Sequence, residues 1–263
     1  MEKGWIRSGV TRIEVALQGS PFVDTTEREL TVGQWVLGLE STIRKTVRAK
    51  RKKVELAFVH GEPLLFDGFL DLIWRLFDTD MVWSMRTMLP TEGFYELRAN
   101  PTVADRCVGI ECAYVSPTDL DRVWVIGSRD FTRRVVQLDR KRYPVSVTAL
   151  NEVDLAWIMD GLTNFRLGRI GTTPIAGHVD TKILTYVPLE YGRKGEMPCQ
   201  NVQWLIGPDG GFYPCFSEAV SKYDTRKRVG ELGTEWGPPK ELRMCRAKEC
   251  FYGEEERVSN EAD

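Results

Sequence analysis

The sequence predicts an α/β protein, a partial β/α barrel of six units followed by a small C-terminal cysteine-rich metal-binding domain. Three observations predict it. Short β-type runs alternate with helical stripes from Val10 to Ile170, the pattern of consecutive β/α units on a parallel sheet. From about Gly171 that periodicity decays into Gly, Pro and Thr. Beyond the decay lie four spaced cysteines, Cys199, Cys215, Cys245 and Cys250.

The units follow in order. Val10 to Leu17 reads as the first strand. Thr31-Val-Gly-Gln34 then matches a capping box, and Trp35, Leu39, Ile43 and Val47 recur every fourth residue as one buried stripe. Val54 to Val59 is the second strand, and a helix opening at Asp67 presents Phe69, Leu70, Ile73, Trp74 and Phe77 as its packed face. Met81 to Arg86 is the third strand, with a short helix near Glu92 to Leu97. Val108 to Val115 is the fourth, and its helix starts from Ser128 as N-cap, with Phe131, Val135 and Leu138 on one side. Tyr143 to Ala149 is the fifth, followed by a helix capped by Asn151 and carrying Leu155, Ile158 and Met159. A sixth strand is expected near Phe165 to Ile170. Six units favour an open, TIM-like (β/α)6 barrel over a closed eight-stranded one, which typically needs about 250 residues. Ligands in such sheets sit at the carboxyl ends of the strands, where Gln18 to Asp24, His60 to Pro63 and Ser116-Pro117 converge.

The domain boundary falls between Gly177 and Gly192, giving a barrel over residues 1–185 and a cysteine domain over 186–252. The acidic tail, 253–263, reads as disordered. Within the cysteine domain, Pro208-Asp-Gly-Gly211 is a turn signal between the apolar runs Val202 to Ile206 and Phe212 to Tyr213. It predicts a hairpin with Cys199 and Cys215 at its ends. Cys245 and Cys250 close the site. Four thiolates around one centre suit an iron–sulfur cluster and a structural zinc equally.

Of the 263 residues, 42% are apolar, enough for a sizeable core, and the formal charge of −2 predicts no attraction to nucleic acid or anionic membrane. No apolar run reaches the roughly 18 residues of a membrane helix, and Met1-Glu-Lys-Gly-Trp5 lacks a signal-peptide core, so a cytoplasmic protein is expected. In that compartment spaced cysteines bind metal more often than they pair. Cys107 and Cys112 differ, since they sit in an apolar strand and read as core.

Val59-His60-Gly61-Glu62-Pro63-Leu64-Leu65 lies between the second strand and its helix. Strand, Gly-Glu-Pro and helix in this order resemble the second β/α unit of radical S-adenosylmethionine (SAM) enzymes, whose Gly-Gly-Glu-Pro segment lines the SAM amino group. The four cysteines look like the SPASM or twitch-type auxiliary domain of the same family. The resemblance spans Thr11 to Cys250. It implies a partial barrel, a C-terminal 4Fe-4S cluster in preference to zinc, and a small-molecule pocket at His60, Gly61, Glu62 and Pro63.

One family element is missing. The loop after the first strand, Gln18-Gly-Ser-Pro-Phe-Val-Asp-Thr25, has none of the cysteines of the family's Cys-x-x-x-Cys-x-x-Cys motif, and none occurs before Cys107. A cluster that cleaves SAM needs three protein thiolates and one open iron. His60, standing where the family has its first Gly, also counts against SAM in the pocket. The expectation is therefore a degenerate family member with no catalytic residues, acting through a protein partner, either an active radical SAM enzyme or its peptide substrate. The alternative is an enzyme using His60 and Glu62 for a cluster-independent acid–base reaction. His178 reads as a loop residue without a role, and Arg44 to Lys53 as the solvated end of a helix. Glu111 and Asp119 show no distinguishing spacing.

Overall fold

The computed structural model describes residues 10–17, 30–59, 61–117, 125–149, 152–163, 205–213 and 228–235, together with the backbone of short strands at 171–172, 178–180, 185–187, 198–199 and 243–244. Five β/α units open the chain: β1 (Val10–Val15), α1 (Val32–Lys50), β2 (Lys53–Phe58), α2 (Phe69–Arg75), β3 (Met81–Thr87), α3 (Thr91–Ala99), β4 (Cys107–Tyr114), α4 (Ser128–Arg140), β5 (Val145–Ala149) and α5 (Glu152–Thr163). Short strands follow: β6 (Gly171–Thr172), β7 (His178–Asp180), β8 (Thr185–Val187), β9 (Pro198–Cys199), β10 (Leu205–Ile206), β11 (Gly211–Tyr213), β12 (Gly230–Glu231) and β13 (Arg243–Met244).

Local chemistry accounts for most boundaries. Thr31 and Gln34 form the expected capping box, and Trp35, Leu39 and Ile43 are buried as expected. The second helix starts at Phe69 rather than Asp67, because Gly68 turns at φ +86° beside Val32, where a Cβ would lie 2.6 Å from its Cγ2. Leu72, not Trp74, completes its inner face; Trp74 is 42% exposed and its ring lies against Phe77. The fourth helix is capped by Gly127 on extended backbone, and Ser128 is already helical. His178 lies in β7 rather than in a loop. The expected sixth strand, Phe165 to Ile170, and the Asn151 cap lie outside the described residues.

Nine strands form one sheet in the order β12-β11-β10-β1-β2-β3-β4-β5-β6, parallel from β10 to β6 and antiparallel through the hairpin at the other edge. The order from β1 to β6 is sequential, and side chains from α1 to α5 share one core cluster with Ile13, Leu56, Trp83, Ile110 and Val147. Among the described residues, helices thus cover one face of the sheet only. That is the arrangement of an open barrel, not of a doubly wound sheet with helices on both sides. Cys107 and Cys112 belong to this core.

The expected hairpin is present. β10 and β11 pair through Leu205–Tyr213 and Ile206–Phe212, and Gly210 takes φ +75° in the turn. Asp209 fastens it, accepting from the Gly211 amide at 2.9 Å and the Tyr213 hydroxyl at 2.7 Å and pairing with Arg228. β10 also pairs with β1, Glu14 opposite Leu205 and Val15 opposite Ile206. The C-terminal region is therefore joined edge-on to the first strand. β7 pairs with β8 and β9 with β13 in separate two-stranded sheets.

Candidate functional site

Alternation along each strand gives the sheet two unlike faces. Ile13, Val15, Leu56, Phe58, Trp83, Met85, Ile110 and Cys112 face the helices. On the other face stand Arg12 and Glu14 of β1, Glu55 of β2, Ser84 and Arg86 of β3, Glu111 of β4, and Ser146 and Thr148 of β5. Parallel strands covered on both sides read as continuous apolar runs, and charges within them cost several kcal/mol unless paired. Here they are paired. Arg12 bonds Glu55 at 2.9 Å and lies 3.8 Å from Glu14, while the Ser84 hydroxyl donates to Glu55 at 2.6 Å. Arg86 reaches Glu111 at 3.0 Å, and Thr148 donates to the same carboxylate at 3.2 Å. Glu14 and Glu55 are buried, whereas Arg86 and Glu111 keep about a quarter of their side-chain surface. The result is a polar band across the middle of five strands with both charges on four of them, β1 to β4, suited to a polar ligand with both charges of its own.

At the carboxyl end of the same strands, Glu62 organises two turns. It precedes a single 3-10 turn, Pro63–Leu65, and its Oε1 accepts the Leu64 amide at 3.1 Å. The same oxygen accepts the Thr87 hydroxyl at 2.6 Å, and Oε2 accepts the Met88 amide at 2.6 Å. Burial raises its proton affinity from the usual 4.5 to about 7, and these hydrogen bonds pull the other way without cancelling it. The carboxylate thus caps its own turn and holds the turn after β3. Gly61 takes φ +81°, Pro63 is buried at the head of the 3-10 turn, and His60 lies outside the described residues.

Of the four C-terminal cysteines, Cys199 lies in β9, where Arg243 of β13 stands opposite it; Met244 pairs with Pro198, and Cys245 follows in the sequence. Cys215, Cys245 and Cys250 lie outside the described residues, among which no group of three or more His, Cys, Asp or Glu is arranged to hold a metal. Cys107 and Cys112 face the helices, and burial pushes both thiols well above their usual range.

The polar face is the feature that sequence reasoning missed. Its signal was a polar residue at every second position of strands that otherwise read as buried: Arg12 and Glu14, Ser84 and Arg86, Ser146 and Thr148. Glu111, which the sequence left without distinction, joins this band, while Asp119 lies outside the described residues.

No protein-family profile and no curated protein sequence matches the chain. Among solved structures, SuiB of Streptococcus suis bound to S-adenosylmethionine aligns with a TM-score of 0.40 and 12% identity, over 78% of this chain and 60% of SuiB. SuiB bound to precursor peptide SuiA aligns with a TM-score of 0.40 and 12% identity, over 83% of this chain and 62% of SuiB. The chain thus spans about three fifths of the SuiB chains it matches. Among the described residues no helix is long and apolar enough to cross a membrane.

Proposed function

We propose that the chain is a radical-SAM-like protein without the SAM-cleaving cluster, serving as an accessory or partner-binding component of a modification pathway in the cytoplasm. The observation that carries this reading is where its cysteines fall. None precedes Cys107, and Cys107 and Cys112 are packed among apolar side chains on the helix side of β4. Three thiolates at the carboxyl ends of the strands, which that cluster requires, cannot be supplied from there. The residues do not fit the group, and its chemistry has no place on this chain.

The auxiliary site is the better fit. In this reading Cys199, Cys215, Cys245 and Cys250 hold one iron–sulfur cluster, or a zinc in its place, within residues 186–252; residues 1–185 form the barrel and 253–263 a polar tail. The register of β9 against β13 supports it, since the chain at Cys199 lies alongside the chain that leads into Cys245. A centre ligated by four thiolates supplies electron transfer or a cross-link for a small domain. The mixed-charge face of the sheet suits a peptide or protein segment as its ligand, with the partly exposed Arg12, Arg86 and Glu111 offering their outer surfaces to it.

A second reading, an enzyme using His60 and Glu62 for a cluster-independent reaction, has the proton affinity of Glu62 in its favour. Against it stands the commitment of that carboxylate to three internal donors. The deciding experiment is anaerobic incubation of reduced protein with SAM. The expected result is no 5′-deoxyadenosine and no methionine above a protein-free control; turnover of a few equivalents overturns the proposal.

A further inference from the structure

Two described segments near the C-terminus, 205–213 and 228–235, lie along the first β/α unit. β10 extends the sheet beyond β1, and the Ala16 amide donates to the Ile206 carbonyl at 2.8 Å. The turn of the same hairpin backs onto the approach to α1, where a Cβ on Gly210 would lie 2.9 Å from Leu30 Cδ1. Just after β12 the chain rests on α1 itself. The Gly233 amide donates to the Thr42 hydroxyl at 2.9 Å, and its carbonyl accepts from the Ser41 hydroxyl at 3.2 Å and from the Lys45 ammonium. Leu232 fills a notch that α1 offers only because it has glycine there: a Cβ on Gly38 would lie 2.8 Å from Leu232 Cβ.

We propose that the four-cysteine metal centre is a lock on the first β/α unit: metal at the cysteines tightens the hold of β10 on β1 and of Leu232 on α1, and loosening that hold weakens the metal. The inference rests on the four-cysteine reading above and adds what the metal governs. Cys199 stands six residues before Leu205, and Cys215 two residues after Tyr213. The segment 228–235 lies between Cys215 and Cys245. Both docked segments are therefore spans between cysteines. A centre that gathers the thiolates closes those spans into loops whose middles rest on β1 and α1.

The coupling follows from a shared ordering cost. The ribbon of β10 and β11 pairs only through Leu205–Tyr213 and Ile206–Phe212, and a hairpin that short is marginal in water on its own. Docking on β1 and closure by the metal order the same residues, so whichever comes first lowers the entropy left for the other to offset. The two spans also move together, because Asp209 of the first pairs with Arg228 of the second. Two events coupled in this way affect each other equally. Arg12 and Glu14 of the polar face stand on β1, so a partner bound there meets a firmer strand when the metal is in place.

The test uses the full chain, purified anaerobically with its thiols kept reduced. Protein that neither carries nor takes up iron–sulfur or zinc overturns the four-cysteine reading, and the lock with it. With metal present, exchange protection of the Ala16 amide should fall about tenfold when a chelator removes it. In the other direction, Gly38→Ala touches no cysteine and favours the helix, yet it pushes Leu232 off α1. It should lose its metal at about a tenth of the chelator concentration that the parent withstands. Gly33→Ala lies on the same helix and would meet nothing nearer than the Thr31 hydroxyl at 4.0 Å, so it should hold its metal as the parent does. Ala16 protection unchanged by metal removal, Gly38→Ala holding metal as tightly as the parent, or Gly33→Ala losing it equally overturns the lock and leaves the metal site standing. If Gly38→Ala does not fold, the Ala16 comparison decides the matter alone.

Discussion

Arg12 and Glu55 bond at 2.9 Å across the first two parallel strands, on the face opposite the described helices. Glu55 is almost fully buried and has the Ser84 hydroxyl as a second donor, a neutral one, so Arg12 is what makes its charge tolerable there.

Removing the cation alone should therefore cost more than removing the pair. Arg12→Ala is expected to destabilise by about 2 kcal/mol, a figure below that of a fully buried pair because the guanidinium is partly exposed. Adding Glu55→Ala should recover about 1 kcal/mol of that loss. Urea unfolding of the two single variants and the double variant reads the coupling; strictly additive losses would mean the bond contributes nothing.

Glu62 sets a pH dependence of stability whose sign is fixed by its raised proton affinity. The folded protein holds this proton more tightly than the unfolded chain, so its stabilising contribution is full below the usual 4.5 and is lost as pH rises to about 7. The loss across that window is on the order of 3 kcal/mol. Glu62→Gln should flatten this slope in denaturant midpoints between roughly pH 4.5 and pH 8. Protonation firms the fold, because what it removes is the cost of a buried charge. An unchanged slope in the variant would assign the dependence elsewhere.

Two glycine substitutions should separate packing from conformation. Gly93→Ala drives a methyl into the Leu64 carbonyl and should cost about 2 kcal/mol or more despite the better helix propensity of Ala. Gly127→Ala meets nothing within 4 Å and takes an ordinary extended N-cap conformation, so it should cost about 0.5 kcal/mol. Equal melting temperatures for the two variants would contradict the close approach at Gly93.

The metal assignment rests on the cysteines acting together. Protein purified anaerobically should carry one centre per chain, and Cys215→Ser should release it and loosen the chain beyond residue 192. Absorption spectra and metal analysis of both proteins decide between iron–sulfur and zinc. Unchanged metal content in the variant would remove Cys215 from the site.

What was legible in the sequence was what local chemistry encodes. The capping box at Thr31 and Gln34, the α1 stripe, the Asp209-Gly210 turn and the burial of Cys107 and Cys112 each depend on neighbours within a few residues. The side of the sheet on which polar residues gather was written in the alternation of β1, β3 and β5. It needed the strands placed side by side before Arg12 could be matched to Glu55 or Arg86 to Glu111. Glu62 was read outward, toward a ligand, because its motif says nothing about Thr87 and Met88, which lie some 25 residues further on. Its hydrogen bonds instead turn it inward, onto the Pro63–Leu65 turn and the turn after β3.

The pairing of β10 with β1 has a consequence for how the chain comes into being. Strand β1 is made before the other described strands, yet its outer edge meets Leu205 and Ile206 only after almost two hundred further residues have been made. Until then a row of unpaired amides and carbonyls stands open, the kind of edge on which chains join one another. A contact of such long span is slow to close. Synthesis that stops near residue 185 would leave that edge exposed for good, so a fragment carrying every β/α unit should associate in solution where the full chain does not.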